Sequence, residues 1–99
     1  MDIKIQSLHF DADKKLIDFI NNKVKKLLQI ADNIIDAEVV LKIDKSDVND
    51  NKVVEITVNI PKISGIFAKK SGKSFEEAIT DVCEALKNQI KREKEKQRE

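Results

Sequence analysis

Residues 14–43, KKLIDFINNKVKKLLQIADNIIDAEVVLKI, change hydrophobic period part-way along, and that change decides the fold. Up to Ala31 the apolar residues Leu16, Ile17, Phe19, Ile20, Val24, Leu27, Leu28 and Ala31 are spaced mostly by three and four. Such spacing predicts an amphipathic helix over residues 14–31, capped by Asp13, with Lys14, Lys15, Asn21, Asn22, Lys25 and Lys26 on its opposite side. After Asp32-Asn33 the period falls to two. Ile35, Ala37, Val39, Leu41 and Ile43 alternate with Asp36, Glu38, Val40, Lys42 and Asp44, the pattern of a strand with one buried face.

The flanking segments extend this pattern in both directions. Toward the N-terminus, Ile3, Ile5 and Ser7 alternate with Asp2, Lys4 and Gln6, which predicts a first strand ending near His9. Residues 45–51 are rich in turn formers and read as a hairpin loop. A third strand follows, with Val54, Ile56, Val58 and Ile60 inward and Val53, Glu55, Thr57 and Asn59 outward, ended by Pro61. Ile63-Ser64-Gly65 makes a turn, and residues 66–70 form a short fourth strand. Ser74-Phe75-Glu76-Glu77 has the form of a capping box and opens a last helix. Its buried stripe is Phe75, Ile79, Val82, Leu86 and Ile90, with Ala78 and Cys83 beside it. Nothing apolar follows Ile90, so residues 91–99 are expected to project as a basic helical extension or frayed tail.

The expected fold is therefore α+β: a two-layer sandwich of order β-α-β-β-β-α, with a four-stranded sheet and both helices packed on one face. Its topology is like that of a double-stranded-RNA-binding domain. At 99 residues the chain buries roughly 60–65% of its unfolded surface, which suits a single domain spanning residues 1–99. With Gly 2 and Pro 1, disorder and collagen-like structure are excluded. A lone cysteine, Cys83, excludes an internal disulfide framework and fits a reducing cytoplasm. The N-terminus does not read as a secretory signal, and no run reaches the roughly 20 apolar residues of a membrane helix. A soluble cytoplasmic protein with no membrane partner is expected.

Enzymatic chemistry finds little support. Cys83 falls on or beside an apolar stripe and reads as a small buried hydrophobe; His9 ends a strand and reads as a surface or boundary residue. Asp47 and Asp50 suggest calcium, but the loop lacks the Gly and closing Glu of an EF-hand. No catalytic residue, metal, cofactor or small-molecule substrate is expected.

Charge is more informative. Lys+Arg 19 against Asp+Glu 18 leaves +1, which by itself argues against a nucleic-acid partner. The distribution reverses that argument. Residues 62–73 carry Lys62, Lys69, Lys70 and Lys73 with no acidic residue, and Lys87, Lys91, Lys94 and Arg98 form one stripe down the last helix. On the first helix, Lys15 and Lys26 share a side, as do Lys14 and Lys25. Both helices on one sheet face would present a joint basic surface suited to a polyphosphate backbone, although lysine-rich helix faces also serve simply as solvated surfaces. Phe19 and Phe75 lie on core stripes and no Tyr or Trp is present, so base-stacking recognition of single strands is not expected.

The element order and the last helix resemble the ribosome hibernation-promoting factor family, which includes the ribosome-associated translation inhibitor. In the first helix Leu16, Phe19, Ile20, Lys23, Lys26 and Leu27 follow the family pattern, and Val39-Val40-Leu41 resembles its second-strand core. In the closing segment Gly72, Phe75, Ala78-Ile79, Leu86, Gln89, Lys91, Arg92, Lys94 and Lys96 match; Ser74, Thr80 and Asn88 depart from it. The match is to the short form of the family. The resemblance implies a non-enzymatic factor that binds the small ribosomal subunit through ribosomal RNA, with ribosomal proteins as further neighbours. It implies blocking of the mRNA/tRNA channel and inhibition of translation in stationary phase or starvation. Carried over by position, Lys23, Lys26, Lys87, Lys91, Arg92 and Lys94 are the implied rRNA-binding residues. Two other readings stand beside this one: a general double-stranded RNA-binding module, and a protein-interaction adaptor using the outer sheet face around Val53, Glu55 and Thr57.

Overall fold

The structure, a computed structural model, describes residues 2–46, 49–63 and 65–97. The elements follow the order β1 (Asp2–Ser7), α1 (Lys14–Leu28), β2 (Asp36–Ile43), β3 (Lys52–Asn59), β4 (Phe67–Gly72) and α2 (Phe75–Gln97). The sheet order is β1-β2-β3-β4. β1 and β2 are parallel, so a crossover is required between them, and α1 supplies it. β2, β3 and β4 form an antiparallel meander.

Register explains which side chains meet the helices. Ile5, Val39, Ile56 and Ala68 form one cross-strand row, and Ile3, Ala37 and Val58 the next. All seven are buried or packed on the core, which they share with Ile20, Val24, Leu27 and Leu28 of α1. From α2 the same core takes Phe75, Ala78, Ile79, Val82, Leu86 and Ile90, the stripe expected from the sequence. The α+β architecture with both helices on one sheet face is thus the observed one.

Several boundaries move for identifiable reasons. α1 stops at Leu28: the Gln29 N–H still makes the regular bond to Lys25 O, but the Ile30 N–H takes Leu27 O three residues back, which tightens the last turn. Ala31 and Ile34 stay buried after the helix has ended, and the apolar character of Ala31 is what prolonged the apparent period. β2 begins at Asp36, so Ile35 precedes the strand and is 56% exposed rather than buried. Ile43, at the far end of β2 opposite Lys52, is 39% exposed. Val53 points to the outer face by alternation, yet it is buried: on central β3 it lies in register between Lys42 and Ser71. β4 runs later and longer than expected, and Ile66 contributes its carbonyl to Val58 N–H just before it. Ser64, of the expected turn, lies outside the described residues.

The local signals hold in detail. Asp13 accepts the Leu16 N–H at 2.8 Å. Ser74 Oγ accepts the Glu77 N–H at 3.1 Å, but the Glu77 carboxylate takes the Lys73 N–H at 3.2 Å instead of that of Ser74. Gly72 makes room for this, since a Cβ there would stand 3.3 Å from the Glu77 carboxyl carbon. In the β2–β3 loop the Ser46 hydroxyl and N–H both donate to Asp44, which lowers the Asp44 carboxyl below its ordinary pKa. Between β3 and β4, the Ile63 N–H donates to Ile60 O across Pro61 and Lys62, with Lys62 at φ 68. That is a turn whose third position favours Gly or Asn. His9 is exposed in the β1–α1 loop, at φ 67.

α2 also closes one edge of the sheet. Phe67 of β4 directs its backbone away from β3, and the Gln89 side chain takes both groups: its Nε2 donates to Phe67 O at 2.8 Å, and its Oε1 accepts the Phe67 N–H at 3.3 Å.

Candidate nucleic-acid interface

The helices run in the same direction. Phe10, just before α1, stacks on Phe75 at the start of α2 with ring centroids 5.2 Å apart. At the other end, Lys94 of α2 reaches the carbonyl of Ile30, two residues past α1. Between these ends lies a groove lined by Lys23, Lys26 and Leu27 from α1 and Ile30 just past it, and by Thr80, Cys83, Glu84 and Lys87 from α2. Each set has the spacing i, i+3, i+4, i+7, so each is a single helix face, and the two faces meet along the outer side of the helix pair.

Physical chemistry assigns the parts of this groove different work. Leu27 is buried and Ile30 half-buried, giving an apolar floor. Lys23 and Lys87 line the groove half-buried, as lysines do when the stem covers apolar surface and the charge stays in water, while Lys26 is exposed. Lys23 Nζ sits 5.6 Å from the centre of the Phe19 ring, a cation–π contact that holds it beside the groove. Against these three lysines stands one carboxylate, Glu84, so the groove carries a formal +2 (three minus one). Cys83 is half-buried rather than fully enclosed; burial pushes its thiol up to about 11, and the Lys23 charge offsets this only in part.

Of the six residues implied as RNA contacts, the structure thus gathers Lys23, Lys26 and Lys87 in one groove. Lys91 continues the face one turn along α2 and is exposed. Lys94 lies on the same side but donates its ammonium to Ile30 O at 2.6 Å. Arg92 is placed elsewhere. It is about 140° around the helix from Lys87, beside Gly65, Ile66, Gln89, Glu93 and Lys96. Arg98, the last residue of the expected stripe, and Asp47 of the calcium reading lie outside the described residues. Lys15 is not part of the groove either; it lies at the N-terminal end of the helix pair, among Asp11, Asp13 and Glu76.

The adaptor face is less open than the sequence suggested. Val53 is buried, Glu55 is ion-paired with Lys42, and Thr57 is half-buried. An exposed aromatic that pattern reading missed, Phe67, lies on that face at 43% exposure; the shifted start of β4 hid it.

Residues 3–98 match the family described as sigma 54 modulation protein / S30EA ribosomal protein. The chain belongs to that family. It is the ribosome hibernation-promoting family that the residues of the two helices resemble. A ribosomal subunit interface protein from Coxiella burnetii is similar in structure, with a TM-score of 0.83 and 20% identity over 95% of this chain and 98% of that one. The N-terminal domain of Protein Y from Thermus thermophilus gives a TM-score of 0.78 and 22% identity over 93% of this chain and 98% of that one. At such identities these two structures establish the S30EA fold alone. No curated protein sequence matches the chain. Among the described residues, no helix is long and apolar enough to cross a membrane.

Proposed function

We propose that the chain is a non-enzymatic ribosome hibernation factor that binds the small ribosomal subunit through ribosomal RNA and occupies the mRNA/tRNA channel. The observation that carries this reading is the inter-helix groove, where Lys23, Lys26 and Lys87 are held together with Lys91 one turn further on. Three ammonium groups gathered in one groove suit a polyphosphate backbone, and each phosphate neutralised releases counterions. Membership of a ribosomal family supports the choice of target, and the similarity to a ribosomal subunit interface protein agrees with it. Occlusion of a channel by a folded body needs neither turnover nor a cofactor. Action in stationary phase or starvation, in the cytoplasm, follows from the family resemblance. The whole of residues 1–99 would act as one ribosome-binding domain.

Charge reversal tests the surface. Changing Lys23, Lys26 and Lys87 to Glu should leave the fold intact, since none is in the core, and abolish co-sedimentation with small subunits at moderate salt. Retained binding would remove the groove from the mechanism. For the channel, addition of mRNA and tRNA should displace the wild-type chain competitively; simultaneous occupancy would refute occlusion.

A further inference from the structure

We infer that Lys94 is a positioning residue: it ties the basic end of α2 to the C-terminus of α1 and leaves phosphate contact to Lys91 and the groove lysines. The inference rests on the RNA-binding reading of the groove but corrects one residue of it.

Three observations carry the assignment. Lys94 Nζ donates to Ile30 O at 2.6 Å, a short bond from a charged donor. The acceptor is fixed, because Ile30 packs against the core and its own N–H is held by Leu27 O. It also lies at the end of α1, where unsatisfied carbonyls and the negative end of the helix dipole favour a cation. The third observation concerns what Lys94 supports. Ile90 is the last core residue of α2, yet the helix continues to Gln97. The seven residues beyond it extend a helix that is already nucleated, but each adds little stability of its own, so without a tether they fray from the end. A bond from Lys94 to the body of the fold restrains that segment from its middle. It thereby keeps Lys91, one turn earlier, in line with Lys87 and the groove.

The bond to Ile30 O takes one of the three ammonium donors of Lys94 and fixes its head group at the end of α1, whereas Lys91 makes no such bond among the described residues. Lys94 and Lys91 therefore differ in a measurable way, although both are exposed lysines on one helix face. The test compares the full chain with K94Q and K91Q in two measurements. Amide hydrogen exchange on the free protein reads the tether without any RNA. K94Q should speed exchange of residues 92–97 about tenfold, and K91Q should leave it unchanged. Binding to isolated small subunits across a salt series reads phosphate contact. K91Q should lower the slope of log K against log salt by about 0.7–0.9. K94Q should weaken binding while leaving the slope at its wild-type value. Unchanged exchange in K94Q, or a slope reduced as much as in K91Q, overturns the assignment. Should the wild-type chain show no salt-dependent binding to subunits, the functional reading fails, and the exchange measurement alone still decides the tether.

Discussion

Replacing Gln89 with Ala should loosen one edge of the sheet without touching the core. The Gln89 amide holds both backbone groups of Phe67 on the free side of β4, at 2.8 and 3.3 Å. An intramolecular hydrogen bond contributes a net ~0.5–1.5 kcal/mol. The released groups lie at an exposed edge where water can replace the amide, so no burial penalty adds to the loss. The sum is about 1–2 kcal/mol, with the longer bond at the low end. For a domain of this size each kcal/mol lowers Tm by about 4–8 °C. Urea unfolding would report the loss as a lower midpoint with an unchanged m-value.

Hydrogen exchange makes the prediction specific. The Phe67 amide is protected by Gln89 Oε1 and not by β3, so its exchange in Q89A should approach that of an open edge. Gln89→Glu separates the two bonds, because a carboxylate can still accept the Phe67 N–H but cannot donate to Phe67 O. Q89E should keep the amide protected and still lose stability. Equal protection of Phe67 in wild type and Q89A would refute the clamp. A freed edge next to an exposed Phe67 is also a pairing template, so Q89A should associate at high concentration where the wild type does not.

Three further outcomes are expected. Neutralising Lys23, Lys26 and Lys87 to Gln should reduce the salt slope of subunit binding by about 2.1–2.7, which makes the wild type about 20–40-fold more salt-sensitive than the variant between 50 and 200 mM; an unchanged slope would dismiss the groove. Lys62→Gly should raise the thermal midpoint, since Lys62 stands at φ 68 where a side chain costs about 1–2 kcal/mol; a lower midpoint would show that the Lys side chain contributes more than its strain costs. Cys83 should be alkylated about 100-fold more slowly at pH 8 than in the unfolded chain, because burial raises its thiol from 9.0 to about 11. The folded chain binds that proton more tightly, so the associated stability is complete below pH 9.0 and is lost as pH rises toward about 11, which denaturation midpoints across that range would detect.

What could be read in the sequence was what periodicity encodes. The α2 stripe from Phe75 to Ile90 and the inward set Val54, Ile56, Val58 and Ile60 are all buried, because one-faced elements have one way to pack on each other. Boundaries failed where a residue was apolar for a reason other than its element. Ala31 is a core residue of a loop, and it lengthened the expected helix. Val53 failed because burial on a central strand comes from neighbours on both sides, which strand alternation cannot express. The groove was legible only in part. The lysine spacing on each helix was visible, but pairing residues 23, 26, 27 and 30 with residues 80, 83, 84 and 87 requires knowing that the helices run side by side in the same direction. Gln89 matched the family pattern, and its role depends on a strand 22 residues away that no local signal connects to it.

The near-neutral charge of the chain separates lysines that folding accounts for from lysines it does not. Both helices start near Asp11, Asp13 and Glu76 and run in the same direction, so their dipoles point the same way. Acidic residues at the starts and basic residues at the ends are what that arrangement favours, and Lys25, Lys26, Lys94 and Lys96 in the last turns need no RNA to explain them. The dipole term fades within a turn, however, and it does not reach Lys23 or Lys87. Each has a half-buried stem among apolar groove residues, where Leu or Met would pack at least as well. Replacing these two with Met should therefore preserve or raise stability while weakening subunit binding. The same substitution at Lys94 should lower stability by removing its bond to Ile30 O. If Lys23 and Lys87 proved necessary for stability, the groove would be a feature of packing alone, and its charge would carry no evidence about a partner.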